Sequence, residues 1–113
     1  MTAFDMETAN RFGVPYIAVI GNNSAMNQIR YGQITKYGEA RGSVGNLLGD
    51  VPFGRFAEML GGYGEEVRDP AQIGPALLRA RESVHKTRKS AVVNIWVDPR
   101  VYAPGTMAQT MYK

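Results

Sequence analysis

The feature that most limits what this chain can become is an almost unbroken apolar run at 15–20, Pro-Tyr-Ile-Ala-Val-Ile, which stops on Gly21, Asn22 and Asn23. A run that ends in β-branched residues without polar alternation is expected as a strand buried on both faces of a parallel sheet. A second such run fills 91–97 and closes on Asp98-Pro99. Between them, Phe53, Phe56, Ala57 and Leu60 take the i, i+3, i+4, i+7 places of a short helix, ended by Gly61-Gly62. Residues 63–68 read as a weaker strand. Asp69-Pro70 caps a helix striped by Ile73, Leu77, Ala80 and Val84, in which Pro75 costs one hydrogen bond and introduces a bend. A helix over 2–12 opens the chain, with Thr2 as cap, Asp5 three residues on and Gly13 as its stop. Another short helix is expected over 25–31, where Met26, Ile29 and Arg30 share a face and the two apolar side chains form core or pocket wall. The order gives an α/β fold: part of a three-layer parallel-sheet domain, about three strands with flanking helices.

The stretch 34–51 differs in kind. It holds Gly38, Gly42, Gly45 and Gly49 and has no hydrophobic period. Two readings fit it, a functional loop or a disordered segment. The tail 100–113, with Tyr102, Met107, Met111 and Tyr112, is neither helix nor strand by pattern. It reads as a frayed terminus or as a segment docked on another surface.

Composition removes several classes of function. At 113 residues the chain makes one small domain. No apolar run reaches the length of a membrane span, and no basic-then-apolar leader precedes the first helix, so no membrane partner is expected. The absence of cysteine excludes disulfides and thiolate metal sites and fits a cytoplasmic protein. The net charge of +3 is modest, and the basic cluster His85, Lys86, Arg88, Lys89 has no interleaved aromatics. It reads as a solvated loop, and no nucleic-acid partner is expected.

Asn22 and Asn23 stand where a parallel strand ends, the place where ligands gather in open α/β sheets. Two uses fit an Asn pair there. Asn tolerates left-handed backbone and builds local turns. Its side-chain oxygen is also a neutral hard ligand, suited to magnesium when the ligand brings phosphates.

The text around the pair adds to this. The segment 7–33, with Arg-Phe-Gly-Val-Pro leading in and Asn-Asn-Ser-Ala-Met-Asn-Gln-Ile-Arg-Tyr-Gly-Gln following, resembles the thiamine-diphosphate (ThDP) enzymes. It is similar to the C-terminal part of the diphosphate-binding domain in the acetolactate synthase, oxalyl-CoA decarboxylase and 2-hydroxyacyl-CoA lyase group. The resemblance runs over 1–99, and in the acyl-CoA members a segment like 100–113 folds over the active site as a lid. It implies ThDP and magnesium as cofactors. Asn23 would be the side-chain metal ligand and Ala25 would offer its backbone carbonyl. Gly21, where the backbone passes close to its neighbours, Asn22, Met26 and Asn27 would lie along the cofactor. Gln28 would reach the substrate as the catalytic candidate. Arg30 and Tyr31 would bind a substrate carboxylate or CoA phosphate, although a surface ion pair explains Arg30 equally well.

The implied activity is a carbon-carbon lyase or decarboxylase that cleaves or forms a 2-hydroxyacyl-CoA. The alternatives are an acetolactate synthase-like carboligase acting on 2-oxo acids, or a non-catalytic interaction module. The family motif opens on Gly-Asp-Gly, whose aspartate would fall about five residues before Met1. The activating glutamate belongs to a separate pyrimidine-binding domain. The remainder of the enzyme or a second subunit is therefore the expected partner, a homo-oligomer the expected state, and the chain alone is expected to be inactive.

Overall fold

The structure is a computed structural model that describes residues 3–101, in which the chain divides into two compact units. Its helices are α1 (Asp5–Arg11), α2 (Asn27–Tyr37), α3 (Glu39–Gly42), α4 (Gly54–Met59) and α5 (Ile73–Thr87). Its strands are β1 (Ile17–Asn22), β2 (Tyr63–Val67) and β3 (Ala91–Trp96). One unit comprises 3–22 and 52–96, the other 23–51 and 97–101.

The sheet unit is built outward from β3. Both neighbours run parallel to it in the order β1-β3-β2, with Ile17 and Tyr63 each level with Ala91. The strand period of two sends Ala91 and Val93 to one face and Val92 to the other. Ala91 and Val93 meet Ala76 and Ala80 of α5, with Ile73, Leu77 and Val84 packed alongside. Val92 meets Met6 of α1 and Ala57 of α4. Small residues at 76 and 80 let α5 lie close, and the result is the expected three layers. Pro75 stands in the first turn of α5, after a 3₁₀ turn over Pro70–Gln72, where the amide has no helical partner to lose. The basic cluster is divided between helix and loop, with Lys89 in the connection to β3. His85 and Lys86 occupy the last turn of α5, where cations complement the helix dipole, and Arg88 closes it in a left-handed conformation, φ 57°. Thr2 lies outside the described residues; Phe4 holds the cap position of α1, without a side-chain cap.

The start of α4 rests directly on β2. A methyl group at Gly64 would lie 2.1 Å from the Gly54 carbonyl oxygen, so only two facing glycines permit this approach. The Glu66 carboxylate secures it, accepting the Gly54 N–H at 2.8 Å, the Trp96 indole N–H at 3.1 Å and the amide of fully buried Asn94. Asn10 ties α1 to the sheet, its Oδ1 accepting the Ser90 N–H at 2.7 Å.

Arg79 of α5 reaches Glu65 of β2, 3.2 Å from Nε to Oε2, and Tyr63 donates its hydroxyl to the same carboxylate. The Arg79 hydrogen bonds hold the Glu65 carboxyl below its ordinary 4.5, and the Tyr63 bond adds to that against the opposing effect of burial. A carboxyl lowered in the folded state adds stability that is complete above its unfolded value and lost as pH falls through the folded one. Glu65→Gln is therefore expected to flatten the acid limb of stability as pH falls from above 4.5 through the lowered folded value. Thermal melts across that range check it; an unchanged limb contradicts it.

In the second unit the expected short helix runs on to Tyr37, where Gly38 ends it at φ 77°. The stretch 34–51, read as loop or disorder, instead contains the end of α2, all of α3 and an antiparallel bridge between Ala25 and Leu47. The buried face of α2 is polar, formed by Asn27 and Arg30, while Met26 and Ile29 are 48% and 43% exposed. This corrects the expected core role of Met26 and Ile29. Arg30 pairs with Glu39 and donates from Nε to the Ser43 hydroxyl at 3.1 Å, which joins α2 to α3 and gives Arg30 an ion pair.

Candidate functional site

Gly21 and Asn22 close β1 in the sheet unit, level with Ile95 and Trp96. Asn22 is buried and Gly21 exposed. A Cβ built at Gly21 meets no atom within 4 Å, so the close neighbour expected there is not supplied by the described residues. The remaining residues singled out from the sequence, Asn23, Ala25, Met26, Asn27 and Gln28, lie together in the second unit.

The Asn23 side chain makes the local turn that its residue type allows. Its Oδ1 accepts the Ala25 N–H at 3.1 Å, which leaves a further lone pair on that oxygen. Ser24, between them, has φ 50°, unusual for a residue with a side chain. Two bonds then tie this segment to 46–48: Leu48 N–H to the Ser24 carbonyl at 2.7 Å, and Met26 N–H to the Asn46 carbonyl at 2.8 Å. They bracket Ala25 and Leu47 as a non-hydrogen-bonded pair, whose own peptide groups point away from each other. Among the described residues, no protein donor reaches the Ala25 carbonyl.

The supports come from the stretch that sequence periodicity left blank. Asn46, 6% exposed, divides its amide hydrogens among Gln33 Oε1 at 2.5 Å and the carbonyls of Gly42 and Val44 at 3.1 and 3.4 Å. Asp50 Oδ1 accepts the Ser24 hydroxyl at 2.8 Å. The sequence does not single out either residue, because Asn46 reaches Gln33 and Asp50 reaches Ser24 across many positions, while runs of Asn, Gly and Asp offer only a general turn signal.

Beyond the bridge the chain enters α2. Met26 holds its cap position without a side-chain cap, and the first turn carries no acid. The first amides of such a helix have no intrahelical acceptor and favour anions. Asn27 is buried and donates its amide to the Pro99 carbonyl at 2.7 Å. Gln28 is exposed in that first turn. The segment thus presents two neutral oxygens beside an uncapped helix start, which fits a hard divalent cation shared with a phosphate-bearing ligand. Among the described residues, no three His, Cys, Asp or Glu side chains gather as a metal cluster.

The family described as thiamine pyrophosphate enzyme, C-terminal TPP binding domain, matches residues 1–95. A probable acetolactate synthase of Mycobacterium bovis and the acetolactate synthase large subunit IlvG of Mycobacterium tuberculosis are each 33% identical to this chain over 103 residues, 91% of its length. The chain spans 18% of the length of each.

Proposed function

The chain belongs to the family of thiamine pyrophosphate enzyme C-terminal TPP-binding domains, and from that premise we propose that 23–28 is the diphosphate end of a ThDP and magnesium site. The observation that supports the proposal is the Ala25 carbonyl, which no donor among the described residues reaches, two residues from the Asn23 oxygen. Asn23 Oδ1 and Ala25 O would hold the cation. The first amides of α2, with Met26 and Asn27 shaping that turn, would face the diphosphate, and Gly21 and Asn22 would bring the chain to it. Magnesium prefers six oxygens, so the remaining ligands come from the diphosphate, water and a carboxylate outside 23–28.

ThDP, when bound, supplies the means of making or breaking a carbon-carbon bond next to a carbonyl. This chain's share is to bind and orient it. Gln28, neutral and exposed at the helix start, would hydrogen-bond the substrate.

The activity of the whole enzyme is read as carboligation of 2-oxo acids, the alternative given under sequence analysis, because both relatives are called acetolactate synthases. The 2-hydroxyacyl-CoA reading rests on the Met26-Asn27-Gln28 segment and takes second place. The pyrimidine-binding remainder of the enzyme, in the same polypeptide or a second subunit, is the proposed partner, in a cytoplasmic homo-oligomer. A lid role for 100–113 would concern residues of which 102–113 lie outside those described. No helix among the described residues is long and apolar enough to cross a membrane.

Amide NMR during addition of ThDP with magnesium tests the site. Shifts concentrated at 23–29 support it. Shifts confined to other segments reject it.

A further inference from the structure

Resting on the cofactor reading above, we propose that Asp50 is a positioning residue for the metal half-site, acting through Ser24. Ser24 is the single residue between the two proposed ligands. Its backbone angles therefore set the direction of the Ala25 carbonyl relative to the Asn23 side chain. Those angles are left-handed, φ 50°, a conformation that costs an ordinary residue about 1 kcal/mol or more. Glycine would adopt it without that cost.

Two hydrogen bonds among the described residues hold Ser24 there. Its carbonyl accepts the Leu48 N–H at 2.7 Å, and its hydroxyl donates to Asp50 Oδ1 at 2.8 Å. Both partners lie on the short segment 46–50 around the bridge residue Leu47, which also takes the Met26 N–H on the Asn46 carbonyl. Asp50 is exposed. Its bond to Ser24 is charge-assisted, and such bonds outlast competition from water better than neutral ones. The peptide bonds fix where the segment lies; the Asp50 carboxylate fixes which way Ser24 is turned.

The test measures the magnesium dependence of ThDP binding in the intact chain, with amide exchange at Met26 and Leu48 read in parallel. Asp50→Ala is expected to raise the magnesium concentration for half-saturation about tenfold, with the thermal midpoint unchanged. Asp50→Asn, which keeps an acceptor, is expected to stay within about threefold of the unaltered chain. Ser24→Gly in the Asp50→Ala background is expected to regain much of the loss, because glycine accepts the left-handed angle without the tether. A general weakening of the fold would show no such recovery. An Asp50→Ala chain with unchanged magnesium dependence and unchanged exchange overturns the proposal, as does a double variant no better than the single one. If the unaltered chain binds no ThDP, the cofactor reading fails, and exchange alone decides the tether: faster exchange at Leu48 and Met26 in Asp50→Ala supports it, and equal exchange removes it.

Discussion

Replacing Gly64 with alanine is expected to destabilise the sheet unit by about 3 kcal/mol or more, at or beyond the upper end of ordinary overpacking. The added methyl would lie 2.1 Å from the Gly54 carbonyl oxygen and 2.5 Å from its carbon, and both are backbone atoms that no rotamer change can move aside. α4 must lift from β2. The Gly54 N–H then leaves the Glu66 carboxylate, which also serves the Asn94 amide and the Trp96 indole. For a unit of this size the loss corresponds to roughly 12–24 °C in the thermal midpoint, read by circular dichroism. Gly32→Ala is the control. Gly32 lies inside α2, and a methyl there meets nothing within 4 Å, so the change is expected to stabilise by about 0.5–1 kcal/mol. Equal midpoints for the two variants would contradict the close packing of α4 on β2.

That contact marks where sequence reasoning stops. Ile73, Leu77, Ala80 and Val84 announce α5, because the residues that repeat on its face are the ones the core takes up. β3 is legible because a strand covered on both faces is apolar throughout. β1 is legible from its apolar run too, but among the described residues it ends the strand order and leaves Val19 54% exposed, so it is not the doubly buried strand expected. Gly54 and Gly64 lie ten residues apart in different elements, and nothing local distinguishes a glycine that allows contact from one that ends a turn. α2 hid its length differently. Its buried residues are Asn27 and Arg30, held by Pro99, Ser43 and Glu39, so a search for apolar spacing finds Met26 and Ile29 on the exposed side. Asn23 was legible as a candidate ligand from its residue type and its place at a strand end, with a turn as the rival use, and Ala25 only through its family context. Ser24, Asn46 and Asp50, which hold them, became visible with the bridge between Ala25 and Leu47.

Asn23→Ala is expected to have the largest effect on the proposed function, weakening magnesium-dependent ThDP binding by about a hundredfold or more. The substitution removes a metal oxygen and also the acceptor for the Ala25 N–H, so it loosens both proposed ligands at once. Asn23→Asp separates these effects. Aspartate keeps an oxygen for the turn and adds charge toward the cation, so binding is expected to persist or tighten. Met59→Leu, 63% exposed on α4 and outside 23–28, provides a background change with little expected effect. If Asn23→Ala binds as the unaltered chain does, the Asn23 oxygen serves only its turn.

The most direct measurement is calorimetric titration of ThDP into this chain with magnesium present and again with the metal removed by chelation. Saturable heat is expected with magnesium and its loss without it, since the two oxygens proposed as ligands at Asn23 and Ala25 would meet the diphosphate only through a cation. Binding that is indifferent to the metal, or absent in both titrations, would contradict the claim that this chain carries a working half of the cofactor site.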